Sequence, residues 1–271
     1  MTAAPTPSAT LVRADNPGPM TLDGTNTWVL RAPGARACLV VDPGPDDAAH
    51  LARVAEVALG DGRGWVAGVV VTHRHADHTA GAALFAGAVG APLRAVLPEL
   101  CSPDAEPLRD GEVLDVDGLP IGILATPGHT SDSVSLHLPS DRALLTGDTV
   151  LGAGSTVLME RDGGDLGDYL ASLDRLAAVC ATTTTPVVGL PGHGPAIEDL
   201  AARVSAYRTH RLERLDEVRA ALDTLVLPTA TDDAVVSAVV GRVYPDVEVG
   251  LLPAATQSVR VQLRYLARGS N

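Results

Sequence analysis

The chain has 271 residues, of which 46% are hydrophobic, and it carries a formal net charge of −13 at neutral pH. The hydrophobic fraction excludes a disordered chain, and no apolar stretch reaches the roughly 18–20 residues that a membrane-spanning helix needs. The negative charge disfavours general adhesion to nucleic acid or to anionic membranes. All 20 basic residues are arginine, which excludes P-loop, Schiff-base and Ser–Lys mechanisms.

The N-terminal segment and the cysteines indicate the cellular compartment of the protein. The first residues, MTAAPTPSAT, have neither the basic nor the apolar part of a secretory signal, so none is predicted. The cysteines, Cys38, Cys101 and Cys180, lie far apart and form no CxxC pair. Because an odd and dispersed set is typical of reduced structural thiols, we expect a cytoplasmic protein.

The order of the predicted elements indicates an α+β fold. Residues 1–10 are predicted to be a frayed tail, and residues 13–30 a turn that leads into a strand. Short apolar segments bounded by turns predict further strands at 38–41, 66–71, 93–97, 113–116, 121–125, 134–138, 143–145 and 187–190. Helical spacing predicts helices at 46–59 (capped by Asp46 or Asp47), 79–89, 166–180, 196–225 (one or two), 231–244 and 254–267. The central run of strands favours an αββα sandwich over a simple parallel sheet.

The most informative stretch is 69–83, VVVTHRHADHTAGAA, in which a buried-type strand runs into a polar turn. Four side chains with metal-binding atoms follow the strand within six positions, namely His73, His75, Asp77 and His78. Burying polar groups directly after a strand would cost roughly 2–7 kcal/mol of desolvation free energy each, unless a metal ion or water bound to them. The stretch therefore predicts a metal site.

Three later strand ends offer one further candidate ligand each. His129 follows ILATPG, Asp148 follows ALLTG, and His193 follows VVGLPG. Taken singly, each histidine is explained equally well as an ordinary surface or core residue. Together with the first motif, the three residues complete a set large enough for two metals that share one carboxylate.

In this order and spacing, THRHADHTAGA, TPGHTSDS, TGDTVLG and PGHGP resemble the successive motifs of the metallo-β-lactamase superfamily, over about residues 11–200. The resemblance implies a four-layer αββα sandwich with a dinuclear zinc site at one edge of the sheets. It implies that the first zinc is held by His73, His75 and His129, and the second by Asp77, His78 and His193. Asp148 would bridge the two ions, and Asp42 would orient one of the ligands.

The donor set predicts the chemistry. Nitrogen and carboxylate donors without thiolate suit zinc, with iron or manganese as alternatives. Two metals about 3.5–4 Å apart can share a hydroxide, because the pKa of bound water falls to about 7. Such a hydroxide would attack an acyl carbon or a phosphorus atom, so no side-chain nucleophile is required. Asp148, as the bridge, and Asp77, as a group that assists proton transfer, are the catalytic candidates.

Within the superfamily, the chain most resembles the lactamase-β-2-like group, which includes endoribonucleases specific for single strands. The segments 16–28 and 207–211 carry this resemblance, which implies a catalytic domain at 1–199 and a winged-helix-like C-terminal domain at 200–271. Gln262 departs from it, because relatives usually have histidine there, and the chain stops without a wing hairpin. The predicted substrate contacts are Asn26, Trp28, Ser131, Tyr207, Arg208, His210 and Arg211.

Three functions stay open. The first is a phosphodiesterase acting on single-stranded RNA, for which Arg260, Arg264 and Arg268 would neutralise phosphates, although a solvated helix face explains such a stripe more often. The second is a glyoxalase II-like thioesterase or lactonase acting on a small molecule, although such enzymes typically read GHTxGH where this chain reads GHTSDS. The third, a non-catalytic scaffold, is disfavoured because every ligand position is filled. A homodimer, common in the superfamily, is left open, and no membrane partner is expected.

Overall fold

A computed structural model describes residues 2–269 of the chain. The first sheet contains, in chain and spatial order, β1 (Thr2–Thr6), β2 (Ala9–Arg13), β3 (Asn26–Leu30), β4 (Ala37–Val41), β5 (Trp65–Val70) and β6 (Leu93–Arg94). The second sheet contains β7 (Val113–Val116), β8 (Leu119–Ala125), β9 (Val134–Leu138), β10 (Ala143–Gly147) and β11 (Val188–Pro191), with spatial order β11-β10-β9-β8-β7. The helices are α1 (Ala48–Leu59), α2 (Ala76–Thr79), α3 (Ala82–Val89), α4 (Leu166–Cys180), α5 (Leu200–Leu225), α6 (Asp233–Val243) and α7 (Leu252–Gly269).

Four layers result from the apolar faces of the two sheets. Between the sheets, Trp28 and Leu39 belong to the same buried core as Ile121 and Leu136. The opposite face of the first sheet is covered by α1 and α3, whose residues form a second core with β4 and β5. The opposite face of the second sheet is covered by α4 and the N-terminal half of α5. This is the predicted αββα sandwich, which is confirmed.

The N-terminal segment differs from the prediction. Residues 2–10 were expected to fray, but β1 pairs antiparallel with β2, and β2 pairs with β3. Pro5 interrupts any apolar alternation in the sequence, yet it is tolerated because β1 is the edge strand of the sheet. The prediction of a tail is therefore wrong for residues 2–10, and residue 1 lies outside the described residues.

The C-terminal region of the described chain is helical. One unbroken helix, α5, contributes Leu200 and Val204 to the core on the second sheet. Further along, α5 contributes Val218 and Leu222 to a separate core with α6 and α7. Because α5 belongs to both cores, the domain boundary at residue 199 and the winged-helix character stay predictions. Among the described residues, no helix has the length and apolar character needed to cross a membrane.

Strand direction decides where the polar loops meet. In the first sheet β4, β5 and β6 are parallel. In the second sheet β8 and β10 both run antiparallel to β9, and β11 is parallel to β10. The carboxyl ends of β4, β5, β6, β8, β10 and β11 therefore lie at one edge, and only β9 runs the other way among the strands just named. At this edge a bridge between Thr25 and His193 also joins the two sheets. The predicted ligands all follow these strand ends.

Candidate metal centre

The structure brings together all seven predicted ligands in two adjoining groups. Potential donor atoms lie within 4.8 Å of one another in each group, the first being His73, His75, His129 and Asp148 and the second Asp77, His78 and His193. In the first group, Nδ1 of His75 lies 3.0 Å from Nε2 of His73 and 3.1 Å from Nε2 of His129. In the second, Nε2 of His193 lies 3.1 Å from Oδ2 of Asp77.

Asp148 lies between the two groups. Its Oδ2 atom is 3.8 Å from Nε2 of His129 on one side and 3.3 Å from Nε2 of His193 on the other. Its Oδ1 atom is 3.5 Å from Nε2 of His78. One carboxylate therefore faces both halves of the cluster, as a bridging ligand must.

In each histidine, one ring nitrogen faces the cluster (the inner nitrogen) and the other faces away from it (the outer nitrogen). The outer nitrogen of each ring donates to a hydrogen-bond acceptor. Asp162 accepts from His75, Asp42 from His78, and the Thr72 hydroxyl, which donates its own hydrogen to Asp42, accepts from His73. The carbonyls of Val157 and Gly24 accept from His129 and His193. Because each outer nitrogen must supply the N–H, the inner nitrogen of each neutral ring presents a lone pair to the cluster.

This arrangement fits metal ions. Five imidazole rings and two carboxylates converge with their nitrogen and oxygen atoms 3.0–4.0 Å apart, so cations held between them would be stabilised. The Oδ1 atom of Asp148 is buried and has no hydrogen-bond partner among the described residues. Nitrogen and oxygen donors without thiolate suit zinc, iron or manganese. The cluster is thus built as a dinuclear metal site.

The electrostatics of the cluster also favour cations. Burial lowers the pKa of His129 to about 4, so this ring stays neutral and can act as a ligand. Burial alone would also lower the pKa of His193, but the carboxylates of Asp148 and Asp77 together outweigh it and raise the pKa to about 9. Burial would raise the pKa of Asp77, but His78 and His193 outweigh it and lower the pKa to about 2. The second group therefore stabilises positive charge beside ionised carboxylates.

Asp42 lies directly behind His78. Its backbone is in the left-handed region with φ of +53°, which is unusual for a residue with a Cβ atom. The carboxylate accepts hydrogen bonds from the amide of Thr72 at 2.7 Å and from Nδ1 of His78 at 2.9 Å. The Thr27 hydroxyl donates to the Asp42 carbonyl at 2.6 Å and also contacts the buried His50. These contacts explain how a strained backbone position is maintained.

Sequence reasoning missed Asp162. It ends a short 3-10 turn (Glu160–Asp162), and its Oδ2 atom lies 3.2 Å from Nε2 of His75. The ion pair of Arg264 with Glu160 attaches this turn to α7, and the ion pair of Arg268 with Asp165 attaches the start of α4 to the same helix. The local sequence, ERDGGD, contains several acidic residues and no periodic pattern, so only the tertiary structure distinguishes Asp162 from its neighbours.

We expect Asp162→Ala to weaken metal binding or hydrolytic activity by about 10–100-fold, because outer hydrogen-bond partners of ligating histidines fix the ring orientation. Metal titration and kcat/KM measure the two effects. Asp168→Ala, which removes an exposed carboxylate from the nearby first turn of α4, is the control and should leave both unchanged. If metal binding and kcat/KM were the same in the two variants, the role of Asp162 as the hydrogen-bond acceptor that orients His75 would be contradicted.

Two of the predicted substrate contacts are in the interior. Asn26 is fully buried and donates to the carbonyls of Pro191 and Gly194. Trp28 is 1% exposed, and its indole N–H donates to the Pro191 carbonyl. As corrections to the expectation, these side chains are not available to a substrate in this structure, and they fix the turn that carries His193.

The remaining predicted contacts differ in exposure. Tyr207 and Arg211 are buried, with hydrogen bonds to the segment 151–156. Arg208 forms an exposed ion pair with Asp174. Ser131 is exposed near the cluster and accepts from Arg74, whereas His210 lines a cavity between the N-terminal loop and the C-terminal helices. Their contacts with substrate stay predictions.

Comparison with known proteins agrees with this geometry. Residues 20–183 match the family described as the metallo-beta-lactamase superfamily. The beta-lactamase-like protein 2 homolog of Caenorhabditis elegans is 32% identical over 267 residues, covering 96% of this chain and 84% of that protein. An atrochrysone carboxyl ACP thioesterase of Aspergillus chevalieri is 33% identical, covering 95% of this chain and 81% of that protein.

Solved structures show the same fold at lower sequence identity. A beta-lactamase domain protein from Burkholderia ambifaria superposes with a TM-score of 0.80 at 22% identity, covering 99% of this chain and 88% of that one. A metallo-beta-lactamase family protein from Thermus thermophilus superposes with a TM-score of 0.74 at 24% identity, covering 98% and 95%. Both matches include the C-terminal helices, because each covers nearly all of this chain.

Proposed function

The chain belongs to the metallo-β-lactamase superfamily of hydrolases, and we propose that it hydrolyses thioesters at a dinuclear metal centre. The observation that carries this choice of substrate is the pairing of Arg260, Arg264 and Arg268 of α7 with acidic side chains. The relatives named as ACP thioesterases, at 30% and 33% identity, support the same choice.

A site for single-stranded RNA needs cations free to neutralise phosphates, and aromatic faces on which bases stack. The predicted stripe does not offer such cations, because Arg260 pairs with Asp233, and Arg264 and Arg268 pair with acidic residues near α4. Trp28 and Tyr207, the aromatic residues among the predicted substrate contacts, are both buried. These observations favour a small acyl substrate over RNA, which stays the alternative substrate.

We assign the ligand roles as the motifs imply. His73, His75 and His129 would hold one ion, Asp77, His78 and His193 the other, and Asp148 both. Two bound divalent ions supply Lewis acidity and lower the pKa of water towards neutrality. Zinc is the ion we propose, with iron or manganese as alternatives that the same donors accept.

The chain's own residues then orient the metal ligands and transfer a proton during the reaction. Asp42 and Asp162 hold His78 and His75 in the orientation described above. Asp77 has a side chain that is 28% exposed, compared with 9% for Asp148, so its carboxylate is the more open to solvent of the two. The Thr25 hydroxyl lies 3.4 Å from Oδ2 of Asp77 and donates to it. We assign to this carboxylate the transfer of a proton during hydrolysis.

A substrate panel tests the proposal. We expect the metal-loaded protein to hydrolyse acyl thioesters of small thiols, with a loss of at least about 100-fold in His75→Ala. Cleavage of single-stranded RNA without thioester turnover would overturn the thioesterase and favour the phosphodiesterase. Lactone hydrolysis alone would likewise overturn it.

Metal analysis of the purified protein separates enzyme from scaffold. About two ions per chain are expected after purification in metal-supplemented buffer, because both donor groups are complete. Less than about one ion per chain, together with no hydrolysis of any substrate in the panel, would favour a non-catalytic scaffold.

A further inference from the structure

We infer that a cleft leading away from the metal centre binds an extended, apolar acyl group, which rests on the proposed thioesterase function. The cleft lies between the loop around Met20, the segment 153–157, and the C-terminal helices. It consists of two adjoining cavities that share part of their lining.

The inner cavity begins at the metal centre. It has a volume of about 130 Å³, and its lining includes His129 and Asp148 of the cluster. The rest of its wall is largely apolar, with Leu22, Leu151 and Val157 among its members. A carbonyl carbon placed at the cluster would therefore have its neighbouring methylene groups against aliphatic side chains.

The outer cavity adjoins the inner one. It has a volume of about 370 Å³ and shares Met20 and Val157 with the inner cavity. This volume falls in the range of small-molecule pockets. Its far wall is formed by the C-terminal helices and the turn between them, through Tyr244, Val247, Leu251, Ala254 and Ala255.

The arginines that line the outer cavity are engaged by the protein. Arg211 is 5% exposed, donates to the Thr156 carbonyl, and lies over the ring of Tyr169. Arg214 pairs with Glu217 and lies over the ring of Tyr244. Arg214 is thus paired within the protein, whereas Arg211 has no carboxylate partner and an unpaired Nε among the described residues. The preference for an apolar group therefore rests on the aliphatic and aromatic side chains that make up most of the remaining lining.

Aliphatic side chains are exposed around the outer opening. Met20 and Leu251, which line the cavity, are 45% and 43% exposed, and the neighbouring Val249 and Leu252 are 87% and 43% exposed. Exposed apolar patches of this kind mark binding surfaces. The distal part of an acyl chain would cover them, and burial of each methylene group would favour binding by about 2–4-fold.

Thioesters of one small thiol with acetyl, butyryl, hexanoyl and octanoyl groups test the inference. We expect kcat/KM of the metal-loaded protein to rise by about 2–4-fold per added methylene. Ala254→Leu, which adds bulk in the cleft, should lower kcat/KM for octanoyl by at least about 10-fold and for acetyl by less than about 3-fold. The control Ala267→Leu adds the same bulk at an exposed position of the same helix and should change neither.

The possible outcomes separate the cleft from the activity. If wild type shows no chain-length dependence, or if Ala254→Leu loses acetyl and octanoyl turnover equally while its unfolding transition is unchanged, the acyl cleft is overturned and the thioesterase stands. Absence of thioester hydrolysis in wild type overturns both. A dimer that dissociates on Ala254→Leu substitution, measured by molar mass in solution, would assign the apolar rim to a second copy of the chain instead.

Discussion

Asp148→Ala should lower kcat/KM for hydrolysis by about 10³–10⁴-fold and reduce the bound metal below two ions per chain. The reason is that Asp148 is the carboxylate that faces both groups of donors, with Oδ2 between His129 and His193. A weakened metal centre stabilises the charge of the transition state less, which raises the activation free energy by about 4–5 kcal/mol. Each 1.36 kcal/mol is a factor of about ten in rate.

The substitution also removes one of the two carboxylates that lie close to both His78 and His193, and Asp77 is the other. In wild type the Asp148 carboxylate is among the groups that raise the pKa of both rings, against the opposing effect of burial. The variant loses this attraction inside the cluster, so it should unfold at lower denaturant concentration as well. Asp148→Asn keeps the shape of the side chain but removes its charge, so it separates the loss of charge from the loss of side-chain volume.

Three measurements check the prediction: kcat/KM with the preferred thioester, metal content after dialysis, and the midpoint of urea unfolding. Asp104→Ala removes an exposed carboxylate from a surface loop and serves as the matched control. Retention of two ions and of more than about a tenth of wild-type activity in Asp148→Ala would show that Asp148 does not bridge the metals.

The elements that depend on local patterns could be predicted from the sequence. The helix at 166–180 has an apolar face at helical spacing, and α4 has these bounds in the structure. Asp47, one of the two suggested caps of α1, accepts from the amide of His50. The ligand set could be predicted too, because each ligand follows a strand end, and parallel strand ends meet at one edge.

Other features depend on contacts between distant parts of the chain, which periodicity does not contain. β1 forms because its backbone pairs with that of β2, although the segment contains proline and has no apolar periodicity. The arginine stripe of α7 is compatible with phosphate binding in the sequence, but in the structure its members pair with Asp233, Glu160 and Asp165. The burial of Trp28 likewise follows from the second sheet lying over β3.

Gly192→Ala is expected to lower hydrolytic activity by at least about 10²-fold, even though glycine to alanine is the smallest change available. Gly192 follows β11, next to His193, and lies directly against the cluster. A Cβ atom there would be 2.3 Å from Oδ1 of Asp148 and 2.8 Å from Cε1 of His78. Displacement of ligands by about 1 Å is enough to cost about 10²-fold in rate.

The backbone of Gly192 has little freedom to relieve this clash. Its amide donates to the Gly147 carbonyl at 2.9 Å, and its carbonyl accepts from the amide of Asn26 at 2.8 Å. The clash must therefore be relieved by movement of Asp148, which belongs to the first donor group, and of His78, which belongs to the second. We expect weaker metal binding in Gly192→Ala, measured by metal titration, in parallel with the loss of kcat/KM.

The control is Gly241→Ala in α6, where an added Cβ atom would meet nothing within 4 Å. Because glycine within a helix is less stable than alanine by about 0.5–1 kcal/mol, this variant should gain about that much free energy of unfolding and keep full activity. If Gly192→Ala instead kept activity within about 3-fold of wild type and bound two ions, the close approach of this turn to Asp148 would not govern the metal centre. A large loss of activity with both ions retained would place the effect of the methyl group on the substrate side of the cluster.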